Sequence, residues 1–350
     1  MLFKKVKTSF FLLIIALLIP TEVLAYSDYI IAGGENIGIE LNSKGIMIVG
    51  TYKVDNQNPS KDANLNIGDI ITKINDKKVE NIEQMLNTIN NSNLKEIKIT
   101  YQRNNKEYNT NLKLIKDDNN IYKTGLYVKD AITGVGTLTF IDPNTKLYGA
   151  LGHEIIEKST GQKLEIKDGK IYNSTVTSIT KSDRGNPGEK NAKYDSSIVY
   201  GNVNENTKSG IFGKYTSTLP NKKLYKVAQA NEIKLGSAKI LTVVENNEVK
   251  AYDINIIKKS SEDQEIKNLL FEITDPTLLD KTGGIVQGMS GSPIVQGDYI
   301  IGAVTHVVVD NCTKGYEIFI TNMLKVSENY KTIKSFIHLF QSLLNYHYQA

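Results

Sequence analysis

The stretch Gly284-Ile285-Val286-Gln287-Gly288-Met289-Ser290-Gly291-Ser292-Pro293-Ile294-Val295 is the part of this 350-residue chain best suited to chemistry. A serine with glycines at i−2 and i+1 can occupy a tight, exposed turn whose backbone N–H groups converge on one point. Acyl transfer to a serine hydroxyl needs such donors about 2.7–3.1 Å from the developing oxyanion, and Gly288 and Ser290 can supply them. The hydroxyl also needs a base. Four histidines are available: His153, His306, His338 and His347. His347 lies near the chain end and His338 beside the apolar face of the last helical pattern, so both read as structural. His153 follows Gly149-Ala150-Leu151-Gly152 at the end of an expected strand, the kind of irregular position that often carries catalytic groups. His306 is the other candidate. For the acid that would orient the base, Asp275 and Asp195 are both open. Asp275 precedes Pro276 and Leu278-Leu279, so it also reads as a helix N-cap with proline at N1.

Metal chemistry has little support. His153-Glu154-Ile155-Ile156-Glu157 begins like a zinc-protease helix but carries glutamate where the second histidine must stand. With Cys312 the only cysteine, disulfides within the chain and Cys-rich zinc sites are excluded. No phosphate-cradling loop is visible, so no metal and no cofactor is expected.

Short strands must position these residues. At roughly 150 residues per domain, the length suggests two domains. From about Ile121 to 330 the chain alternates over Gly134 to Phe140, turns at Asp142-Pro143-Asn144 and returns over Leu147 to Leu151. Further apolar runs at 175–179, 198–200, 238–244 and 269–273 complete an all-β sandwich or barrel. Pro293 to Gln296, Gly297-Asp298 and Tyr299 to His306 read as a hairpin holding the Ser290 turn. The first segment, 31–116, is a small sheet with one helix opened by Asn81, with Gln84 three positions on and Ile82, Met85, Leu86 and Ile89 on one face. The polar run Lys116-Asp117-Asp118-Asn119-Asn120 suits a linker, and 331–350 reads as a C-terminal docking helix.

The first segment resembles a PDZ domain of bacterial protease type, on Leu65-x-x-Gly68-Asp69-x-Ile71-x-x-Ile74-Asn75-x-x-x-Val79 followed by a helix and a hairpin. The resemblance implies that the loop Asn36-Ile37-Gly38-Ile39 presents amides to a peptide's terminal carboxylate, with Ile37, Gly38 and Ile39 binding the peptide by strand addition. The pattern Gly-x-Ser-Gly-x-Pro at Ser290 resembles the nucleophile loop of chymotrypsin-like proteases, with Met289 where an acidic residue is usual. The fold class expected is thus mainly β (α+β overall): an N-terminal PDZ domain followed by a β-rich, chymotrypsin-like serine peptidase domain.

Several dispersed motifs together resemble the stage IV sporulation protein B peptidases. They include Gly134-x-Gly136-Thr137-Leu138-Thr139, Gly149 to His153, Ser174 to Ile179, Gly185-Asn186-Pro187-Gly188-Glu189-Lys190, Ile211-Phe212-Gly213, Thr274-Asp275-Pro276, Thr282 to Ile294 and Ile301 to Val307. The resemblance spans roughly residues 30 to 326. It implies a serine endopeptidase of endospore formation, with Ser290 as nucleophile, His153 as general base and Asp275 as the acid. It further implies cleavage of a membrane-bound sporulation regulator and of the chain itself. One departure is Glu154, where an apolar residue is expected beside the base. The rival expectations are a catalytically idle PDZ scaffold and a sporulation peptidase with a different exported substrate.

Charge and the N-terminus bound partners and compartment. The formal charge is +4, from 42 basic and 38 acidic residues, and the first 25 residues carry +2 of it. The remainder is too small for a phosphate-neutralising surface, so nucleic acid is not an expected partner. Lys4, Lys5 and Lys7 precede the apolar run 10–19, then Pro20 and Val23-Leu24-Ala25. Ten residues reach about 15 Å, half of a ~30 Å hydrocarbon core, so 1–25 reads as an export signal more than an anchor. The expected location is thus outside the cell membrane, and the resemblance to the sporulation peptidases implies the forespore intermembrane space.

Overall fold

The structure, a computed structural model, describes residues 26–327 apart from positions 93, 118, 120, 246, 262 and 263. The expected signal segment, the C-terminal helix, His338 and His347 lie outside the described residues. The strands are β1 (Tyr29–Ala32), β2 (Asn36–Thr51), β3 (Ile70–Ile74), β4 (Lys77–Lys78), β5 (Glu96–Arg103), β6 (Lys106–Lys113), β7 (Ile115–Lys116), β8 (Tyr122–Lys123), β9 (Leu126–Ile141) and β10 (Leu147–Ala150). They continue as β11 (Ile166–Thr180), β12 (Glu189–Thr207), β13 (Gly210–Tyr215), β14 (Leu224–Val227), β15 (Gly236–Val243), β16 (Val249–Lys259), β17 (Leu269–Ile273), β18 (Pro293–Gln296), β19 (Tyr299–Val307) and β20 (Lys314–Phe319). Helices α1 (Pro59–Asp62), α2 (Ile82–Ser92) and α3 (Pro276–Thr282) are short.

Three cores organise these elements. The pairings β9–β2–β11–β12–β13–β10 return to β9 and close a first barrel. Inward side chains such as Ile37, Ile39, Leu41, Leu138, Tyr148, Ile171 and Ile211 fill it. The pairings β15–β16–β17–β20–β19–β18 return to β15 and close a second. Ile240, Ile254, Phe271, Ile294, Val304 and Phe319 fill that one. Closure leaves neither barrel with a free edge. β1 and β14 pair with each other, β1 joining β9 and β14 running parallel to β19, which ties the barrels together.

The PDZ core packs Ile46, Ile48, Ile71, Ile99 and Leu112 against Met85 and Ile89 of α2. The helix begins as its sequence dictates, with the Asn81 Oδ1 accepting from the Gln84 amide at 2.8 Å. Leu86, expected on the buried face, is exposed, because the sheet covers only the Met85–Ile89 stripe. The Gly68-Asp69 motif is explained by a fork: the buried Asp69 carboxylate takes Nε and Nη2 of Arg103, each at 2.7 Å, and the Asn66 amide at 2.8 Å.

The regions before and after the run 116–120 share strands. The first half of β2, Asn36 to Asn42, pairs with β9 and β11 inside the first barrel, and its second half pairs with β3 in the PDZ sheet. β9 follows it throughout, Leu126–Lys129 beside Met47–Thr51 and Ala131–Thr137 beside Asn36–Asn42. The PDZ sheet therefore stands between two bent strands of the barrel, and Ser27–Ser327 is one compact unit.

Candidate active site

Residues 287–292 form a turn whose carbonyl groups are held from within. The Gln287 carbonyl accepts from the Lys190 amide at 2.9 Å, and the Met289 carbonyl from the Ser292 amide at 2.9 Å. The Gly288 carbonyl accepts from the Thr137 hydroxyl at 2.7 Å and the Gly291 carbonyl from the Thr139 hydroxyl at 2.7 Å. The Ser290 carbonyl takes the Thr137 amide at 3.1 Å. In a trans peptide the N–H points away from the preceding carbonyl, so fixing the Gln287 and Met289 carbonyls inward directs the Gly288 and Ser290 amides outward. Four other amides of the turn are engaged: Gln287 to the Gly188 carbonyl, Met289 to Val286, Gly291 to Val304 and Ser292 to Met289. Those of Gly288 and Ser290 meet no acceptor among the described residues. Two unengaged, outward donors flanking a serine hydroxyl form an anion-binding concavity suited to an oxyanion.

The turn needs its glycines. Gly288 and Gly291 have φ of +92° and +91°, and a Cβ at Gly291 would run into the Thr137 carbonyl and the Leu151 amide. That close approach brings the strand β10 exit to the serine. Leu151 abuts Gly291, Gly152 faces Thr305, and the His153 ring lies 5.4 Å from that of His306.

His153 is positioned as a base by the backbone of the next residue. Its Nδ1 lies 2.8 Å from the Glu154 carbonyl oxygen, and a carbonyl only accepts, so Nδ1 carries the proton and Nε2 keeps its lone pair. Burial lowers its pKa below the ordinary histidine value, against the Glu154 carbonyl and charge, which raise it. The imidazole is thus neutral near pH 7. Glu154, the departure seen in the sequence, acts here mainly through its carbonyl. His306 is pushed down to about 4, by burial first and then by His153 and Lys267, and its Nδ1 is buried without a partner. It is a neutral neighbour of the base.

Two sequence expectations change. Asp275 caps α3, its Oδ1 accepting from the Leu278 amide at 2.9 Å and its Oδ2 from the Asp253 amide at 3.3 Å. Both oxygens serve backbone, and no contact joins Asp275 to His153 among the described residues. The Glu154 carbonyl holds the nitrogen that the acid would hold. Asp195 accepts from the Ser197 amide and hydroxyl, and likewise does not meet His153. The second correction concerns Ile37, Gly38 and Ile39. They are buried in mid-sheet, paired with Gly134–Gly136 on one side and Ile171–Asn173 on the other. With both edges taken, this segment is not the open peptide-binding loop expected. Gly38 is required because a Cβ there would lie 2.2 Å from the Tyr194 Cβ.

The Ser290 Oγ donates to the Thr305 carbonyl at 3.0 Å, and no hydrogen bond joins it to His153 among the described residues. Sequence reasoning passed over Thr137, Thr139 and Thr305. The first two stand two apart on β9, and that period-2 polar pair inside an apolar strand was the available signal.

Two family models match separate parts of this chain. The family model described as SpoIVB peptidase S55 matches residues 120–324, and that of the PDZ domain matches 36–114. No curated protein matches. Among solved structures, the PDZ domain of the SdrC-like protein from Listeria monocytogenes is 24% identical, covering 25% of this chain and 90% of its own, with a TM-score of 0.22. The Rv3671c protease from M. tuberculosis in its active form is 14% identical over 55% of this chain and 71% of its own, with a TM-score of 0.29. With a family model spanning more than half its length, this chain belongs to the SpoIVB peptidase S55 family and is a serine peptidase that carries a PDZ domain.

Proposed function

We propose that the chain is an exported serine endopeptidase of endospore formation that cleaves a membrane-bound regulator to trigger late sigma-factor processing, and cleaves itself. The observation that carries the reading is the Ser290 turn, with two outward amides beside the hydroxyl and a neutral imidazole just beyond the end of β10. In the reaction Ser290 attacks the scissile carbonyl, and His153 Nε2 takes the hydroxyl proton and returns it to the leaving amine. The Gly288 and Ser290 amides hold the oxyanion. The Glu154 carbonyl keeps the imidazole tautomer, leaving Asp275 the role of fixing α3 ahead of the turn. Peptide capture by the PDZ segment uses a surface other than residues 37–39, which are paired on both sides.

A fluorophosphonate probe tests the nucleophile. The expected result is an adduct on Ser290, mapped by mass spectrometry, that disappears in His153→Ala; a folded protein that takes no label overturns the reading. In sporulating cells, Ser290→Ala should block processing of the late sigma factor, and normal processing would favour the idle scaffold.

A further inference from the structure

Behind the Ser290 turn lies a buried lysine that the mechanism does not use. Lys190 is 1% exposed, and its side chain packs under Gly288, whose Cβ, if present, would lie 3.1 Å from the Lys190 Cβ. Its Nζ donates to the Thr242 hydroxyl at 2.9 Å. The Thr242 and Ser292 hydroxyls are 3.0 Å apart, and those of Ser292 and Thr137 are 3.4 Å apart. Thr137 then donates to the Gly288 carbonyl at 2.7 Å. All four side chains are buried.

The ends of this chain differ in kind. A lysine amine at one end donates, and a carbonyl at the other only accepts. Each hydroxyl between can accept from one neighbour and donate to the next, so the network polarises in one direction, and each bond strengthens the following one. An isolated buried ammonium is costly, and burial alone lowers the Lys190 pKa to about 7, with no carboxylate compensating. A residue kept for stability alone would be apolar here.

We propose that Lys190 is a positioning residue for the hydrolysis, locking through Thr242, Ser292 and Thr137 the Gly288–Met289 peptide plane, which joins the two planes that carry the outward Gly288 and Ser290 amides, before substrate arrives. This rests on Ser290 as the nucleophile. Lys190 also contributes its backbone amide to the Gln287 carbonyl, so one residue fixes two successive peptide planes of the turn.

The test uses the full-length protein and the fluorophosphonate probe, whose phosphoryl oxygen occupies the same hole. Lys190→Met and Thr242→Val keep volume and remove the polar links. The second-order labelling rate of Ser290 should fall about 10²–10³-fold in both, the loss typical of a displaced oxyanion donor. Thr242→Ser, which keeps the hydroxyl, should restore the rate to within a few-fold, and Lys190→Met should unfold at the same temperature as the parent or higher. Unchanged labelling in Lys190→Met and Thr242→Val overturns the inference while leaving the nucleophile in place. Loss of labelling in all three variants in step with a lower melting temperature makes the network merely structural. A parent protein that takes no label removes the nucleophile reading, and this inference with it.

Discussion

Two glycine-containing segments of this chain, Ile37-Gly38-Ile39 and Gly288-Met289-Ser290-Gly291, look alike as sequence and meet opposite fates. Each pairs glycine with short or apolar neighbours, and each suggests converging amides. In the first, sheet partners occupy both edges, and glycine is required because a Cβ there would run into the Tyr194 Cβ. In the second, every carbonyl is tied inward while two amides remain unengaged. What makes a glycine turn a binding site is therefore the fate of its hydrogen bonds, and the motif alone does not disclose it.

Variants can break this contrast. The largest effect belongs to Ser290→Ala, which should lower peptide hydrolysis by about 10⁴-fold or more with an unchanged melting curve, since a nucleophile's loss is not recovered by its neighbours. Gly291→Ala should come next, with labelling of Ser290 reduced about 10²-fold, because its φ and the Thr137 carbonyl both oppose a side chain. Gly38→Ala should act on the fold instead. Overpacking against Tyr194 should cost about 1–3 kcal/mol in denaturant titration. Hydrolysis per folded molecule should stay the same, and a C-terminal peptide that bound the parent but not this variant would reinstate the loop reading.

The smallest effect is in pH dependence. Because burial lowers the His153 pKa, the acid limb of kcat/KM should lie below pH 6.5. A limb above 6.5 would indicate a carboxylate holding the imidazolium after all. Stability follows the same sign. The unfolded chain binds the proton of His306 near 6.5 and the folded chain only near 4, so stability should fall as pH drops through that window.

Much of this was legible in the residues. Alternation gave the strands, the Asn81–Gln84 pair gave α2, and the spacing of Gly288, Ser290 and Gly291 gave the turn. Asp275 was ambiguous because Asp-Pro before an apolar pair fits both a cap and a catalytic acid; the choice depends on which amides lie within reach, and that of Asp253 comes from β16, the strand paired with β17. The clamp on the turn was hidden for the same reason. Thr137, Lys190, Thr242 and Ser292 lie on four separate segments, two from each barrel, and only the packing of one barrel against the other brings them together. Sharing of β2 and β9 was equally invisible, since a polar run at 116–120 looks like a linker whether or not the strands beyond it return to the first barrel.

That sharing governs the order in which the molecule can be built. As the chain emerges from its N-terminus, the first half of β2 is made early yet has no partner until β9 and β11 follow. The PDZ sheet, folding in the interval, gathers the two ends and shortens the entropic loop that β2 and β9 must close. The last support of the Ser290 turn, the Val304 carbonyl and amide on β19, comes near the end of the described residues. A growing chain therefore holds no assembled nucleophile turn until synthesis has passed β19.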